Sequence, residues 1–227
     1  MSAAHGIRPV AVYRGDFPEK FGIPRQAGVV PELEGLVVFE PEFREHEALR
    51  GIEGFERLWL IWQLSENLRE GFSPTVRPPR LGGNVRMGVF ATRSPFRPNG
   101  LGLSCVELVA LEEREGLGTV LVVRGADLMD GTPIFDVKPY VPYADAWPAA
   151  RAGFAPDAGE TLDVVFLPGT EEKIPVEKRE ALRGVLANDP RPRYQNDPAR
   201  VYGLRFGEQN VKFTVDGNTL TVRGVEP

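Results

Sequence analysis

The apolar residues of this chain fall into short runs, and that limits the fold more than any other feature. Val10–Tyr13, Leu36–Phe39, Leu58–Leu64, Val85–Ala91, Leu103–Leu111 and Val120–Val123 are rich in β-branched and aromatic side chains and read as strands. Breakers separate them: 25 glycines and 21 prolines make about a fifth of the 227 residues, against roughly 12% in average usage. The spacing predicts a mainly antiparallel sheet or barrel. Arg57–Leu64 (RLWLIWQL) is almost continuously apolar, which predicts a strand covered on both faces, one of them by a partner subunit, although its period also allows a buried helix.

Helical signals are fewer. The charged stretch Glu42–Leu49 predicts a short surface helix stopped at Gly51. Val176–Leu186 places Leu182, Val185 and Leu186 at helical spacing before the breaker Asn188-Asp189-Pro190. Between the two parts lies WPAARAGFAPDAGE, so the domain boundary is expected near residue 155, with residues 1–155 as the larger domain and 156–227 as a small C-terminal one. Val201–Phe206, Asn210–Val215 and Thr219–Arg223, the last two joined by Asp216-Gly217-Asn218, give a three-strand meander.

Composition excludes several classes. The chain is 42% hydrophobic and 26% charged, an ordinary globular balance. Its single cysteine, Cys105, permits no intramolecular disulfide, and with two histidines no metal site is expected. No apolar run is long enough to span a bilayer and the first residues lack a secretory apolar core, so a reduced, cytoplasmic setting is the expectation. The net charge is −5, so an anionic partner must be held by local rather than global charge.

That local charge exists. Residues 69–97 carry six arginines (69, 77, 80, 86, 93 and 97), no lysine and one acid, Glu70. A solvated loop rim accounts for such a run as well as a binding surface does. The interleaved RPPR, LGG and SPFRPN, however, constrain the backbone more than a solubilising face requires. Arginine's planar fork suits phosphate and carboxylate and stacks on bases. A weaker patch recurs at Arg191, Arg193, Arg200 and Arg205, and two basic patches on an acidic chain suit a long polyanion.

A second constellation is acidic and aromatic: Asp127, Asp130, Asp136, Lys138, Tyr140 and Tyr143. On a regular strand Asp136 and Lys138 share one face and Val137 takes the other. A carboxylate beside an ammonium can accept a proton next to a cation, but an ordinary cross-strand ion pair has the same sequence. No phosphate loop of the GxxxxGK[ST] type and no dinucleotide fingerprint occurs. Ser104 and Cys105 have no histidine in register, which leaves little support for a serine or cysteine nucleophile.

FGIPRQAG (21–28), TVRPPRLGGNVRMGVFATRSPFRPNG (75–100) and DLMDGTPIFDVKPYVPYAD (127–145), followed by DPRPRY (189–194) and YGLRFGEQNVKF, closely resemble the TrmO family of S-adenosylmethionine-dependent tRNA methyltransferases. The resemblance implies a homodimer with a mainly β fold, a β-barrel N-terminal domain with a small α+β C-terminal domain. It implies methyl transfer from S-adenosylmethionine to N6 of threonylcarbamoyladenosine at position 37 of tRNA, in the anticodon loop. The cofactor-binding residues it implies are Ala27, Gly28, Val29, Glu66, Asn67, Arg93, Leu103, Arg124, Gly125, Ala126 and Asp127. Asp136, or Tyr140 assisted by Lys138, is expected to accept or steer the proton, and tRNA contacts are expected at Arg77, Arg80, Arg97, Arg191 and Arg193. Two rival readings remain at this stage: a non-catalytic RNA-binding module, and a transferase or hydrolase acting on a small nucleotide.

Overall fold

Alternation of apolar and polar residues decides which side of each strand turns inward. The computed structural model describes residues 6–67, 71–157, 159–192, 195 and 197–227. In chain order the first strands are β1 (Ala11–Arg14), β2 (Glu34–Phe39), β3 (Arg57–Gln63), the two-residue β4 (Thr75–Val76) and β5 (Met87–Gly88), β6 (Leu101–Arg114), β7 (Gly118–Arg124) and β8 (Pro133–Pro139). Six of them pair antiparallel in the order β1-β2-β7-β6-β3-β8, and β8 returns to β1 through Ala11↔Ile134 and Val12↔Pro133. The sheet therefore closes on itself. Its interior is filled by Val37, Leu58, Leu60, Val106, Leu121, Val123 and Ile134, all fully buried. β4 and β5 form a separate two-stranded ribbon inside the arginine-rich loop.

Register breaks leave Phe135 and Val109 unpaired opposite Ile61/Trp62 and Val122/Val123, and bend β8 and β6 so that the ring can close. Trp62 turns inward opposite Gly102. A Cβ added at Gly102 would lie 2.2 Å from the indole, so only glycine leaves space for that ring.

The second unit is a four-stranded sheet, β9 (Asp163–Phe166), β10 (Tyr202–Phe206), β11 (Gln209–Asp216) and β12 (Thr219–Glu226), in the order β10-β11-β12-β9. The helix Arg179–Ala187 buries Ala181, Leu182, Val185 and Leu186 in the same core as Leu204, Phe206, Phe213 and Leu220. Phe17, Val30 and Leu33, from the segment between β1 and β2, belong to this second core. Phe17 meets Phe206 edge-on at 5.5 Å between ring centroids. Among the described residues, no helix is long and apolar enough to cross a membrane.

Three expectations need correction. Val85–Ala91 is not a full strand: only Met87–Gly88 pairs, and Val89–Ala91 turns as a 3-10 helix. Glu42–Leu49 is not one helix but two 3-10 turns, separated where Glu45 is extended with ψ 123°. The C-terminal three-strand meander gains a fourth strand: β9, a short apolar run ahead of Pro168-Gly169, joins it by a parallel pairing with β12, distant in sequence.

Gly102→Ala should lower the unfolding free energy by about 1–3 kcal/mol, the usual range for overpacking. Denaturant titration measures this, with Gly54→Ala as the control, since a Cβ there meets nothing within 4 Å.

Candidate functional site

The arginine-rich loop does not spread over the surface; it folds back toward the second unit. Together with Lys20–Gln26, residues 152–157 and 159–162, and Asn188–Pro192 it walls a cleft of about 2370 Å³. Small-molecule sites span roughly 300–1,000 Å³, so this cleft has room for part of a macromolecule. Arg77, Arg80, Arg86, Arg93, Arg97 and Arg191 all line it. Arg193 lies outside the described residues. The guanidinium groups are not equivalent. Arg77 is exposed. Arg80 pairs with Asp157 at 2.6 Å, tying the loop to the segment between the two units. Arg97 donates to the carbonyls of Thr92 (2.7 Å) and Val89 (3.3 Å) and so shapes the loop. Arg191, 8% exposed, is forked onto Asp189 through Nε and Nη2 at 2.8 and 3.0 Å.

At the edge of this cleft two glycine turns meet. The Gly28 amide donates to the Gly125 carbonyl at 2.8 Å, and both residues have positive φ, +77° and +75°. A Cβ at Gly125 would come 3.3 Å from the Gly28 Cα, so the close approach of the two backbones depends on a glycine there. The contact brings Ala27 and Gly28 beside Gly125, Ala126 and Asp127. Gln26, which lines the cleft, accepts from Arg93, so Arg93 joins the group.

Asp127 is the polar centre of the junction. Ser104 donates to its carboxylate at 2.5 Å, and Trp62 Nε1 donates to Ser104 Oγ at 2.9 Å, which fastens the turn to β6 and β3. Burial pushes the Asp127 carboxyl above the usual carboxylate range, opposed by the Ser104 hydroxyl, the backbone amides of Asp127 and Ala27, and the nearby Arg93 charge. A carboxylate has about four acceptor positions, so capacity remains for a ligand.

The other expected residues are dispersed. Asn67 lines the cleft, and the Glu66 carbonyl takes a 2.8 Å bond from Lys20 Nζ. Val29 packs against the second core. Arg124 is paired with Glu34 at 3.1 Å on the surface. Asp136 and Lys138 form a 2.8 Å ion pair, both partly exposed, on the outer face of β8. The registers set Leu103, Ile61 and Asp136 in one row across β6, β3 and β8, and Cys105, Trp59 and Lys138 in the next. Tyr140 rests on Trp59 with ring centroids 5.8 Å apart. Neither Asp136, Lys138 nor Tyr140 lines the cleft of its own chain. Sequence reasoning missed Phe72, Gln26 and the Asp189 clasp on Arg191; Gln26 had no signal beyond its neighbourhood in PRQAG.

Residues 12–146 match the family model for the tRNA-methyltransferase O N-terminal domain, and residues 159–227 that for the TrmO C-terminal domain. The chain belongs to the TrmO family. A tRNA (adenine(37)-N6)-methyltransferase of Escherichia coli is 39% identical over 96% of each chain. A Pseudomonas aeruginosa relative, provisionally named S-adenosylmethionine-dependent methyltransferase RcsF, is 41% identical over 91% of each. A crystal structure of TrmO from Pseudomonas aeruginosa superposes with a TM-score of 0.82 at 33% identity, covering 100% of this chain and 98% of that one.

Asp127 makes stability depend on pH. The unfolded chain releases this proton in the ordinary carboxylate range while the folded state still holds it. Between the two pKa values the native state binds more protons, so stability falls as pH rises and levels off above the raised value. Urea titrations over pH should show that fall in the parent chain and a flatter curve in Asp127→Asn.

Proposed function

We propose that this protein methylates tRNA, transferring the methyl group of S-adenosylmethionine to N6 of threonylcarbamoyladenosine at position 37. One observation carries the reading: a chain of net charge −5 gathers Arg77, Arg80, Arg86, Arg93 and Arg97, with Arg191, on one cleft beside a built polar junction. Membership of the TrmO family across both units supports it.

The β-barrel unit, residues 1–155, holds the donor, and the small unit, residues 156–227, adds tRNA contacts. The junction suits the donor by its chemistry: the Arg93 guanidinium can take a carboxylate, and Asp127 an ammonium or ribose hydroxyl. When bound, S-adenosylmethionine supplies an electrophilic methyl carbon. The main task of the chain's own residues is alignment, which can contribute about 7–11 kcal/mol in well-oriented cases. The acceptor nitrogen carries a carbonyl substituent that delocalises its lone pair, so a base that takes its proton adds typically 10²–10⁴-fold. Asp136, or Tyr140 beside Lys138, serves as that base.

This role requires a homodimer. The outer face of β6 and β3 exposes Leu103 (58%) and Leu101 (37%), with Trp59, Ile61 and Cys105 only partly covered. A second copy seated there brings its own cleft toward Asp136 and Tyr140. Arg77 grips a phosphate, while Arg80, Arg97 and Arg191 chiefly shape the wall around the substrate.

Incubation with labelled methyl donor should label tRNA carrying threonylcarbamoyladenosine; absence of both label and heat of donor binding would leave an RNA-binding module. In single turnovers, Asp136→Asn or Tyr140→Phe should slow transfer at least tenfold, whereas equal rates for both would leave alignment alone. Arg77→Ala should reduce the slope of log affinity against log salt by about one, as loss of one phosphate contact does.

A further inference from the structure

Two phenylalanines in the arginine-rich loop are placed where the core cannot use them. Phe90 is 72% exposed and Phe72 55% exposed, yet both line the cleft. Their rings stack on each other with centroids 6.1 Å apart and planes inclined by 27°. The Arg97 guanidinium lies 5.8 Å from the Phe90 centroid, held by the Val89 and Thr92 carbonyls. Val89, the preceding residue, is buried at 1% exposure, so the loop is anchored directly beneath the ring it presents.

We infer that Phe72 and Phe90 form a stacking platform for an unpaired nucleobase of the tRNA anticodon loop. The inference rests on the methyltransferase reading above and names residues that receive the base. Exposed rings lose apolar burial unless something covers them, and the surface around this pair is cationic: Arg77, Arg86 and Arg93 share the cleft. A partner that is flat, aromatic and attached to a polyanion satisfies both features. Single-stranded RNA is recognised in this way, with splayed bases on aromatic faces and guanidinium planes, and phosphates on arginine. The 6.1 Å spacing lies within the range of direct ring contact, so the base adds to the outside of the pair rather than entering between the rings. With base 37 on this platform its exocyclic nitrogen is drawn out of the loop stack and into the cleft.

A binding cycle tests this without turnover. The probe is the anticodon stem–loop of a substrate tRNA, intact or abasic at position 37, with affinity read by fluorescence anisotropy. Phe90→Ala and Phe72→Ala should each weaken binding of the intact stem–loop roughly 5- to 150-fold, the span of one base–aromatic stack. Phe90→Tyr should bind within about threefold of the parent chain. In the parent the abasic probe should bind as poorly as the intact probe binds Phe90→Ala, and the two losses should not add, as expected for groups in contact. Melting temperature and donor affinity by calorimetry should be unchanged in every variant. Additive losses, unaltered affinity in both alanine variants, or a loss of donor rather than RNA affinity would each overturn the inference. Methylation by the parent chain, measured in parallel, reports separately on the reading beneath it: transfer with additive losses rejects the platform alone, and no transfer with a coupled loss rejects the methyltransferase alone.

Discussion

Closure of six strands into one ring is the constraint from which the remaining architecture follows. A ring of about eight strands is just wide enough for side chains to fill, so six leave no room for a ligand. Leu58, Leu60, Leu121 and Ile134 occupy that interior completely. Chemistry must therefore be assembled outside, on loops and on the outward rows of the strands. The two sets of expected residues divide along that line, with Ala27–Gly28, Arg93 and Gly125–Asp127 at a loop junction and Leu103 and Asp136 on one outward row.

The Asp127 junction shows how the ring and the loops are coupled. A hydrogen-bonded chain runs from the Trp62 indole through the Ser104 hydroxyl to the Asp127 carboxylate, so a core tryptophan fixes a group at the cleft edge. Gly102 leaves space for that indole, and the Gly28–Gly125 contact closes the turn on the other side. Shape in the core and electrostatics at the junction are thus set by the same few residues. A half-buried carboxylate that retains acceptor capacity is costly for stability and useful to a ligand with a positive group.

Local pattern made most of the ring and the final meander legible. Leu36–Phe39 and Val120–Val123 became paired strands because each is a short apolar run between turn residues, and the Asp216-Gly217-Asn218 turn joined β11 to β12. The place of β9 in the sheet was not legible: residues 164–167 form a short apolar run like the others, but its partner is a strand more than fifty residues later. Val85–Ala91 misled for a physical reason: its apolar residues are split between a buried Val89 and an outward Phe90, and hydrophobicity alone does not distinguish a core ring from a presented one. The arginine cluster was evident from charge asymmetry. Which of its guanidinium groups are already engaged depends on folded geometry: Arg80 meets Asp157 from a distant segment, whereas Arg191 on Asp189 and Arg97 on the Val89 and Thr92 carbonyls are set by how local turns bend.

Phe17, Val30 and Leu33 leave the ring's own chain segment to complete the second core. The two units are consequently not interchangeable parts. A chimera that took residues 156–227 from a relative would inherit a sheet whose floor is supplied by the recipient, and those three side chains would have to match the donor's Leu204 and Phe206. Recombination points after residue 155 would therefore succeed only when the stretch from Phe17 to Leu33 travels with them.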